Sequence, residues 1–417
     1  MEIAEKFSWS RAVLSAIFVG AAILGIIDPS SAQTINPAQQ QIPLPGSPFA
    51  VITTPDGRSL FVSTTSPTSG VTVLRQRNKF ATIVQTIPTC GPAFGLALSK
   101  GGKYLLVAVQ KGSSCLSGGV QFIDVRKAIA GNSSAAMGTV PTDPSAIEVA
   151  ISPDNKLVFV ANEYSGGKDC ENQDTVSVID FHKALSSGQS QSSIIGEIPV
   201  DCAPVGMAVS SDSRRLYVTN EIAFPTEPFY DATACNIPDG SGCPIQTHQG
   251  PVGTLDMIDV HTARTDPANS VVAHIPAGCS PTRVIQTNNE KLTWVSARDD
   301  NNLLAFYTAD LLANPSAALL STTPVGIAPD GAQPFSHERF IAVANTNRFD
   351  SCPGAGGTVS ILEVNKGLYS TTVGTFDAGV FPRQWGASPD GKLLYLTEFG
   401  SDTLVIFPVN SIVRQVQ

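Results

Sequence analysis

The side chains best suited to chemistry are charged and amide groups that recur at equivalent points of a repeated unit. The chain repeats a short turn that begins with Ser or Thr. When the repeats are aligned, the residue four positions before that Ser or Thr forms a column, which contains Glu148, Arg283 and Gln384. Arg383 and Trp385 flank Gln384 in the unusual stretch PRQWG. A charge buried without a partner is costly, so these groups need either an internal partner or a ligand. We therefore predict that Arg283, Arg383 and Gln384 donate hydrogen bonds in catalysis, and that Glu148 and Trp385 contact the substrate.

A second column of polar residues stands where the following strand of each unit ends. Asn at the end of a strand often bonds only its local surroundings, and this is the favoured interpretation of Asn162 and Asn220. An insertion in the fourth unit, residues 222–253, adds aromatic side chains that could form a pocket wall or only a surface loop. The residues of this column and insertion that we predict to bind substrate are Glu163, Glu221, Arg298, Asn345, Glu398, Phe229 and Tyr230.

Other kinds of site have weak support in the sequence. The five histidines are scattered, and the chain has no Gly-x-Ser-x-Gly elbow, phosphate-binding loop or Cys-x-x-Cys pair. A calcium site would need Glu163, Glu221, Glu398 and Asn345 to converge on one axis, so we predict no metal and no cofactor. The formal net charge of -9 offers no basic surface for phosphates, so we predict no nucleic-acid partner. The predicted partner is an apolar small molecule, and the sequence leaves the oligomeric state open.

The elements that position these residues are repeats of a turn followed by an alternating apolar strand. SPDGKLLYLTE begins at Ser388, SPDNKLVFVANE at Ser152 and SSDSRRLYVTNE at Ser210. Each unit has room for four strands, and no helical periodicity lies between the units. We predict an all-β fold, a seven-bladed β-propeller of four-stranded antiparallel blades. The segment QQIPLPG, residues 40–46, is predicted to close the ring by pairing with the last blade, whereas the first strand of the sixth unit cannot be placed.

The N-terminus has the features of a secretory signal peptide. Lys6 and Arg11 form a basic flank, an apolar run follows, and the small residues SSA supply a cleavage site. We predict a signal peptide over residues 1–32 and a single propeller domain over residues 33–417. The mature protein is then secreted and has no membrane segment. The alternative is an uncleaved membrane anchor.

The even number of cysteines after that signal predicts disulfide bonds. Each cysteine falls in a loop that either enters a unit or follows its second strand, so we expect all of them on one face of the ring. Cys90 with Cys115, and Cys235 with Cys243, are predicted pairs, although the sequence leaves the connectivity open. A sequon at Asn132 predicts glycosylation in a surface loop. The eight cysteines are Cys90, Cys115, Cys170, Cys202, Cys235, Cys243, Cys279 and Cys352.

The phrases LYVTNE, VFVANE, SPDGK and TVSVID resemble the YVTN-type, lactonase-like propeller repeats. The resemblance covers nearly all of residues 33–417 and extends to secreted lactonase-like propellers of filamentous fungi, some of which are similar to hetero-Diels–Alderases. It implies a metal-free enzyme of natural-product biosynthesis that couples a tropolone quinone methide with a humulene-type sesquiterpene. Arg283, Arg383 and Gln384 would then supply the hydrogen bonds that polarise a carbonyl group.

Two other functions stay open. A lactonase or lactonising enzyme would need a general base, and Glu148 or Glu163 is the candidate. A non-catalytic extracellular binding propeller would use the same face without turnover. Substituting Arg283 or Arg383 would then change affinity alone.

Overall fold

The computed structural model describes residues 32–112, 114–167, 170–238, 246–348, 356–365 and 369–417. The predicted signal peptide, apart from Ala32, lies outside the described residues, and so do Cys243 and Cys352. In the described ranges seven sheets stand as blades around a ring and an eighth, two-stranded sheet lies in an insertion, which confirms the predicted all-β, seven-bladed propeller.

The strands follow one another in blades of four along most of the chain. Two short strands come first, β1 (Gln33–Thr34) and β2 (Gln40–Pro43). Blade 1 contains β3 (Pro48–Thr53), β4 (Ser59–Thr64), β5 (Gly70–Arg77) and β6 (Phe80–Pro88). Blade 2 contains β7 (Ala93–Leu98), β8 (Tyr104–Val109), β9 (Gly119–Asp124) and β10 (Ala136–Val140). Blade 3 contains β11 (Ala146–Ile151), β12 (Leu157–Asn162), β13 (Asp174–Asp180) and β14 (Ile194–Val200).

Blade 4 contains β15 (Cys202–Val209), β16 (Arg215–Ile222), the inserted pair β17 (Cys235–Pro238) and β18 (Thr247–Gly250), then β19 (Thr254–Asp259) and β20 (Val271–Pro276). Blade 5 contains β21 (Pro281–Gln286), β22 (Leu292–Ala297), β23 (Asn302–Tyr307) and β24 (Leu319–Pro324). Blade 6 contains β25 (Pro329–Phe335), β26 (Phe340–Asn345), β27 (Thr358–Asn365) and β28 (Tyr369–Asp377). Blade 7 contains β29 (Pro382–Ala387), β30 (Leu393–Glu398) and β31 (Thr403–Pro408).

Short helices connect some of the strands. The α-helices are α1 (Val125–Ile129), α2 (Phe181–Ser186), α3 (Val260–Ala263), α4 (Asp310–Ala313) and α5 (Val409–Val416). The 3-10 helices are Ser133–Ala135, Gln191–Ser193, Pro267–Asn269, Pro315–Ala317 and Phe399–Ser401. No described helix combines the length and the apolar character that crossing a membrane requires.

The first strand of each blade lines the central axis. Contacts between neighbouring first strands run from β3 through β7, β11, β15, β21, β25 and β29 and back to β3. Because successive strands are antiparallel, the loops after second strands and the loops entering each blade share one face, which we call the loop face. The turns between first and second strands form the opposite, turn face. The apolar core lies between adjacent blades, as where Phe61 and Val73 of blade 1 pack with Leu105 and Val107 of blade 2.

The N-terminal strands close the ring. Strand β2 pairs antiparallel with β31, with Gln40 opposite Ile406 and Ile42 opposite Leu404, which confirms the predicted closure by this segment. Strand β1 adds a parallel edge to β28 of blade 6. The first and last parts of the chain thus share two sheets, and closure leaves fewer unpaired sheet edges.

The repeated turn has a physical explanation in its Ser or Thr hydroxyl. Ser152 Oγ accepts hydrogen bonds from the backbone N–H groups of Leu157 (2.9 Å) and Lys156 (3.2 Å), and it donates to Asp154 Oδ1 (2.6 Å). The same arrangement recurs at the equivalent hydroxyls Thr54, Ser210, Thr287 and Ser388. The side chain replaces a missing backbone partner where the strands turn, which is why the motif marks each unit.

Blade 6 lacks this turn, and that absence explains why its first strand could not be placed from the sequence. Its turn consists of Ser336, His337 and Glu338, which all have positive φ (52°, 57° and 62°), followed by Arg339. Consecutive left-handed residues without glycine are uncommon. The first strand before this turn is β25, which contains Asp330.

The described cysteines form three disulfide bonds, all at the loop face. Cys90 bonds to Cys115 as predicted. Cys170 of blade 3 bonds to Cys202 at the start of blade 4. The predicted pairing of Cys235 with Cys243 is wrong, because Cys235 bonds to Cys279 in the loop that enters blade 5. The sequence favoured the disulfide that closes the shorter loop, whereas the fold brings the insertion against the neighbouring blade.

The sequon residue Asn132 is exposed, in the loop between α1 and β10, as expected for a surface sequon. Its side-chain oxygen accepts a hydrogen bond from the Ser134 N–H (2.9 Å) and caps the 3-10 helix Ser133–Ala135. Glycosylation at this position stays a prediction.

Replacing Ser152 by Ala should destabilise blade 3 by about 1–3 kcal/mol, because buried N–H groups lose their acceptor. Chemical denaturation measures the difference. The control is Ser186→Ala, at an exposed position on α2, which should change the free energy of unfolding by less than about 0.5 kcal/mol. Equal stability of the two variants would show that the turn hydroxyl does not hold the repeat together.

Candidate functional site

Arg283 lies at the centre of an ion network on the propeller axis. Its Nη1 lies 3.1 Å from Glu148 Oε2, and its Nε lies 3.2 Å from Asp330 Oδ1. The side chains of Arg283, Glu148 and Asp330 are 10%, 13% and 3% exposed. We call these three residues and Gln384 the axial ion network. It joins blades 3, 5, 6 and 7 and occupies the middle of the channel with side chains.

Gln384 completes the network from blade 7. In the amide orientation that satisfies hydrogen bonding, its side-chain oxygen accepts from Arg283 Nε (3.0 Å) and from Arg283 Nη2. Three of the residues predicted from the sequence, Glu148, Arg283 and Gln384, therefore meet in space. Their side-chain partners are one another and Asp330, and Arg283 Nη1 also donates to the carbonyl of Val205.

The two acids of the network are in different electrostatic situations. Burial raises the pKa of Glu148, and the opposing effect of Arg283 is smaller. Burial would also raise the pKa of Asp330, but the guanidinium groups of Arg383 and Arg283 hold it below its ordinary value. Asp330 is thus the ionised partner of two arginines, and Glu148 is the acid that retains its proton more readily.

Bulged first strands place these side chains. The pairing of first and second strands shifts register at Glu148, at Arg283 and between Pro382 and Trp385, and bulges aim side chains in this way. Space for Glu148 comes from the neighbouring first strand, where a Cβ atom at Gly95 would clash with Glu148 Oε1. The small residues of the column are therefore part of the packing of the charged ones.

Hydroxyl groups on second strands tie each bulge to the next blade. The Arg283 N–H donates to Ser296 Oγ (3.1 Å), which in turn donates to the carbonyl of Asp330 (2.7 Å). The Gln384 N–H likewise donates to Thr397 Oγ1 (2.9 Å), which donates to the carbonyl of Phe49 (3.1 Å). Equivalent hydroxyls in blades 1 and 4 also bond the next first strand. We call this set the bridging hydroxyls: Ser63, Thr219, Ser296 and Thr397.

Above the network, toward the loop face, a second arginine lies among phenyl rings. The Cζ of Arg383 lies 4.0 Å from the ring centre of Phe49, 5.3 Å from Phe381 and 6.0 Å from Phe399. These four residues are the arginine–phenyl cluster. Arg383 Nη1 makes a 3.5 Å ion pair with Asp330, and Nε has no hydrogen-bond partner among the described residues. Burial lowers the pKa of Arg383 to about 10, and it remains a cation at neutral pH.

Glu163 adds an acid that titrates near neutral pH. Burial and the nearby carboxylate of Glu221 raise its pKa to about 7, against the hydrogen bond from Tyr164 and the charge of Arg383. A carboxyl group with such a pKa can both give and accept a proton at physiological pH. Because the charges of Glu221 and Arg383 act on it, Glu163 lies near the arginine–phenyl cluster at the loop-face end of the channel.

Two predicted residues near Glu163 already have strong internal partners. Arg298 donates to both carboxylate oxygens of Glu221, at 2.5 and 3.0 Å, and its Nε donates to Asp299 (3.2 Å). Burial alone would lower the pKa of Arg298, but Glu221 and Asp299 outweigh it and raise that pKa. This bidentate pair fixes both side chains to each other.

Other predicted substrate-binding residues lie elsewhere. Asn345 Nδ2 donates to Thr358 (3.0 Å) and Ser360 (3.0 Å) on the third strand of its own blade. Glu398 accepts a hydrogen bond from the Gly379 N–H (2.7 Å), and burial raises its pKa. Trp385 packs in the core of blades 6 and 7, against Phe407 (6.0 Å between ring centres), because its side chain alternates away from that of Gln384.

The predicted aromatic residues of the insertion are half-buried. Phe229 and Tyr230 lie in the turn after Glu227, and the Tyr230 N–H donates to the Glu227 carbonyl.

Three of the four residues considered for calcium have other partners. Glu221 pairs with Arg298, Glu398 bonds the Gly379 amide, and Asn345 bonds its own third strand. Asn162 and Asn220 also bond hydroxyls of the third strand rather than a site on the axis. The interpretation of these asparagines as local structure is therefore correct, although their partners are side chains and not backbone groups.

Asp330, Arg348 and the three phenyl rings were not predicted from the sequence. Asp330 belongs to the first strand that could not be placed, and its column position would have identified it once that strand was aligned. Arg348 is a further cation beside Phe381 (5.7 Å), three residues beyond the end of β26. The phenyl rings stand at strand ends from two blades, and no sequence pattern marks them.

An acid–histidine cluster lies apart from the axis, on blade 4. His274 Nδ1 lies 2.9 Å from Asp256 Oδ1, 3.6 Å from Asp201 Oδ2 and 3.9 Å from Glu227 Oε1. Burial alone would lower the pKa of His274, but the carboxylates of Asp201 and Asp256 outweigh it and raise that pKa to about 11. Glu227 belongs to the insertion, so the cluster joins the insertion to the blade.

The turn face has a cavity of its own, of about 670 Å³. It lies at the far ends of the first strands of blades 4 to 7, beside Met207, Ile285, Phe335 and Leu394. The axial ion network does not line it. The channel is therefore divided, with the arginine–phenyl cluster on one side of the network and this cavity on the other.

Comparisons with known proteins support the fold and no specific activity. No protein-family model matches the chain, and no curated protein sequence matches it. Among solved structures, hydrazine synthase of Kuenenia stuttgartiensis is 17% identical with a TM-score of 0.62, covering 88% of this chain and 96% of that chain. A chain of the mitotic checkpoint complex is 12% identical with a TM-score of 0.60, covering 96% of this chain and 99% of that chain. At such identities the likeness shows the propeller fold alone.

Replacing Arg283 by Met should lower the free energy of unfolding by about 3–5 kcal/mol, because two buried acids lose their cation. Urea denaturation measures the loss. The matched control is Arg339→Met, which removes an exposed ion pair with Glu363 and should cost no more than about 1 kcal/mol. Adding Glu148→Gln to Arg283→Met should recover part of the loss, and strictly additive effects would contradict the network.

The raised pKa of Glu163 makes stability depend on pH in a defined direction. Between the ordinary value of 4.5 and about 7, the folded state keeps a proton that the unfolded state releases. The free energy of unfolding should therefore fall as pH rises through this range, by at most about 1.4 kcal/mol per pH unit. Glu163→Gln should remove this dependence and the exposed Glu171→Gln should keep it. Parallel stability–pH curves for all three proteins would show that Glu163 ionises normally.

Proposed function

We propose that the protein is an enzyme of natural-product biosynthesis that catalyses a cyclisation at the loop-face mouth of the channel. The reaction that we favour is an intermolecular hetero-Diels–Alder coupling of a tropolone quinone methide with a humulene-type sesquiterpene. The reaction class rests on the resemblance of the repeats to lactonase-like propellers. The site contributes the physical means, and the fold by itself is neutral because propellers serve many functions.

The arginine–phenyl cluster is the observation that carries this proposal. Arg383 is a buried cation whose Nε has no hydrogen-bond partner among the described residues, and three phenyl rings surround it. Apolar rings favour an apolar guest, while the guanidinium favours an oxygen atom that gains negative charge. A site of this composition suits a conjugated carbonyl compound that reacts with a hydrocarbon.

The proposed reaction draws on both features. A hetero-Diels–Alder coupling forms one carbon–carbon and one carbon–oxygen bond, with no atom lost and no change of oxidation state overall. When the carbon–carbon bond forms first, negative charge develops on the carbonyl oxygen of the quinone methide. The N–H groups of Arg383 would stabilise that oxygen, and holding both reactants together lowers the entropic barrier by about 7–11 kcal/mol in favourable cases.

Glu163 would act on the step before the coupling. A quinone methide forms when a hydroxymethyl precursor loses water, and the departing hydroxyl group needs a proton. With its pKa of about 7, Glu163 can supply that proton, and its carboxylate can take one from the ring hydroxyl. The carboxyl group is then returned to its starting state.

Arg383→Met should lower the rate of adduct formation by roughly 10²–10³, the usual cost of removing an oxyanion donor. The assay incubates purified protein with a quinone methide generated in situ and humulene, and chiral chromatography with mass spectrometry follows the product. Wild-type protein and the control Arg339→Met should both give one stereoisomer. A racemic adduct at the uncatalysed rate with wild-type protein would remove the proposal and leave lactone hydrolysis or a non-catalytic binding propeller.

Lactone hydrolysis is the second candidate, and the pKa of Glu163 favours it specifically. A carboxylate that ionises near pH 7 is suited to activate water, and Arg383 would stabilise the resulting oxyanion. Hydrolysis would rise with pH through about 7 and would be lost in Glu163→Gln. The coupling itself, started from a preformed quinone methide, should be insensitive to that substitution, so the two candidates separate.

The disulfide bonds bear on where the protein works. Three disulfides at one face are typical of proteins that fold in an oxidising compartment. Together with the predicted signal peptide, they lead us to infer secretion or residence in the secretory lumen.

A further inference from the structure

We propose that Asp201, Glu227 and His274 form a binding site for a divalent transition-metal cation on blade 4. The site is separate from the channel and from the proposed catalytic groups. It would hold the insertion, residues 222–253, against the blade, and it has no part in the proposed reaction.

The donor atoms have the spacing of metal ligands. One carboxylate oxygen from each acid and one imidazole nitrogen all lie within 4.8 Å of one another. His274 Nδ1 lies 3.6 Å from Asp201 Oδ2 and 3.9 Å from Glu227 Oε1. Zinc bonds of about 2.0–2.1 Å in tetrahedral geometry separate neighbouring donors by about 3.4 Å. The two distances to His274 Nδ1 exceed this value by about 0.2 and 0.5 Å, and the separation of the two carboxylate donors exceeds it by at most about 1.4 Å, so modest side-chain shifts would bring the three donors around one cation.

The charges of the cluster also favour a cation. The electrostatic neighbours that act on Glu227 are His274, Asp201 and Asp256, so three carboxylates face a single imidazole. The side chains of Asp201 and Asp256 are wholly buried. A second buried negative charge beside the first is costly unless a cation compensates it. A divalent ion would replace the proton on Nδ1 and remain next to Asp256 Oδ1, which lies 2.9 Å from the same nitrogen.

Hydrogen bonds behind Asp201 orient it as a ligand. Asn220 Nδ2 donates to Thr254 Oγ1 (3.0 Å), so the Thr254 hydroxyl directs its own hydrogen to Asp201 Oδ2 (2.8 Å). The Phe224 N–H donates to Asp201 Oδ1 (3.2 Å). Each carboxylate oxygen keeps a further lone pair for a cation. Partners of this kind fix carboxylate ligands in known metal sites.

Blade 3 has the equivalent hydrogen bond between Asn and Thr but lacks the acid–histidine cluster. In blade 3, Asn162 Nδ2 donates to Thr175 Oγ1 (3.0 Å), as Asn220 does to Thr254. There the cross-strand neighbours on the third and fourth strands are Ser177 and Glu197, where blade 4 has Asp256 and His274. The mixed nitrogen and oxygen donors of blade 4 suit Zn²⁺ or Mn²⁺ better than the all-oxygen preference of Ca²⁺.

The site would give the insertion a second attachment. Glu227 reaches the cluster from the first part of the insertion, and Cys235 attaches its next part to Cys279. A cation that binds only the folded state stabilises that state by mass action. Its effect would therefore appear as a higher melting temperature and as protection of the insertion from proteolysis.

The test uses purified protein that has been freed of metal with a chelator and then titrated with ZnCl₂ and, separately, MnCl₂ and CaCl₂ by calorimetry. We expect one high-affinity Zn²⁺ site and a higher melting temperature with the ion. Glu227→Gln should weaken that site by about 100-fold or more, beyond the 10–100-fold typical of changes outside the ligands. Glu227 is only partly buried in the insertion, so this variant should fold.

The matched control is Asp231→Asn, an exposed acid in the same insertion whose side chain bonds only Thr233 among the described residues. It should bind Zn²⁺ as the wild-type protein does. An anomalous-scattering peak between Asp201, Glu227 and His274 in zinc-soaked crystals would locate the ion directly. No binding by the wild-type protein, equal binding by Glu227→Gln, or a zinc peak at other histidines alone would each overturn the proposal.

Discussion

The bridging hydroxyls are the interaction on which the geometry of the channel depends. Each one accepts from the N–H at the bulge of its own blade or donates to a carbonyl of the next first strand, as Ser296 does between Arg283 and Asp330. A hydroxyl can do both at once because it has one donor and two acceptor positions. Adjacent first strands are therefore fixed to each other at the level where the charged side chains point inward.

That spacing decides what the charges on the axis can do. With Glu148 and Asp330 both within ion-pair distance, Arg283 has internal partners, and its role is to join blades in the middle of the channel. Arg383, two first strands away on blade 7, has a long contact with Asp330 and an Nε without a partner among the described residues. The two arginines thus differ in their partners. The guanidinium of Arg283 is paired within the protein, whereas that of Arg383 is only partly paired. The difference favours the loop-face mouth as the reactive end of the channel.

The two faces of the ring are stabilised by different means. Hydroxyl–carboxylate turns such as Ser152 with Asp154 hold the turn face through local hydrogen bonds. The loop face has longer connections, and there disulfides and the acid–histidine cluster hold segments that are distant in sequence. Long loops lose more conformational freedom on folding, so they need such cross-links more than tight turns do. A rigid loop face is also what a site at the channel mouth requires.

The sequence by itself determined the blade count, the closure of the ring and the axial position of Glu148, Arg283 and Gln384, because these follow from a repeat with a fixed strand period. It also suggested the pair Cys90 and Cys115, whose loops belong to one blade, and the structure confirms that bond. Only the tertiary structure decided which charges meet across the axis, that Trp385 turns into the core, and that Cys235 bonds to Cys279. These outcomes depend on distances between blades and on side-chain direction, and a periodic sequence carries no record of either. Asp330 and the phenyl rings around Arg383 belong to the same group, since they come together from different blades only when the ring has closed.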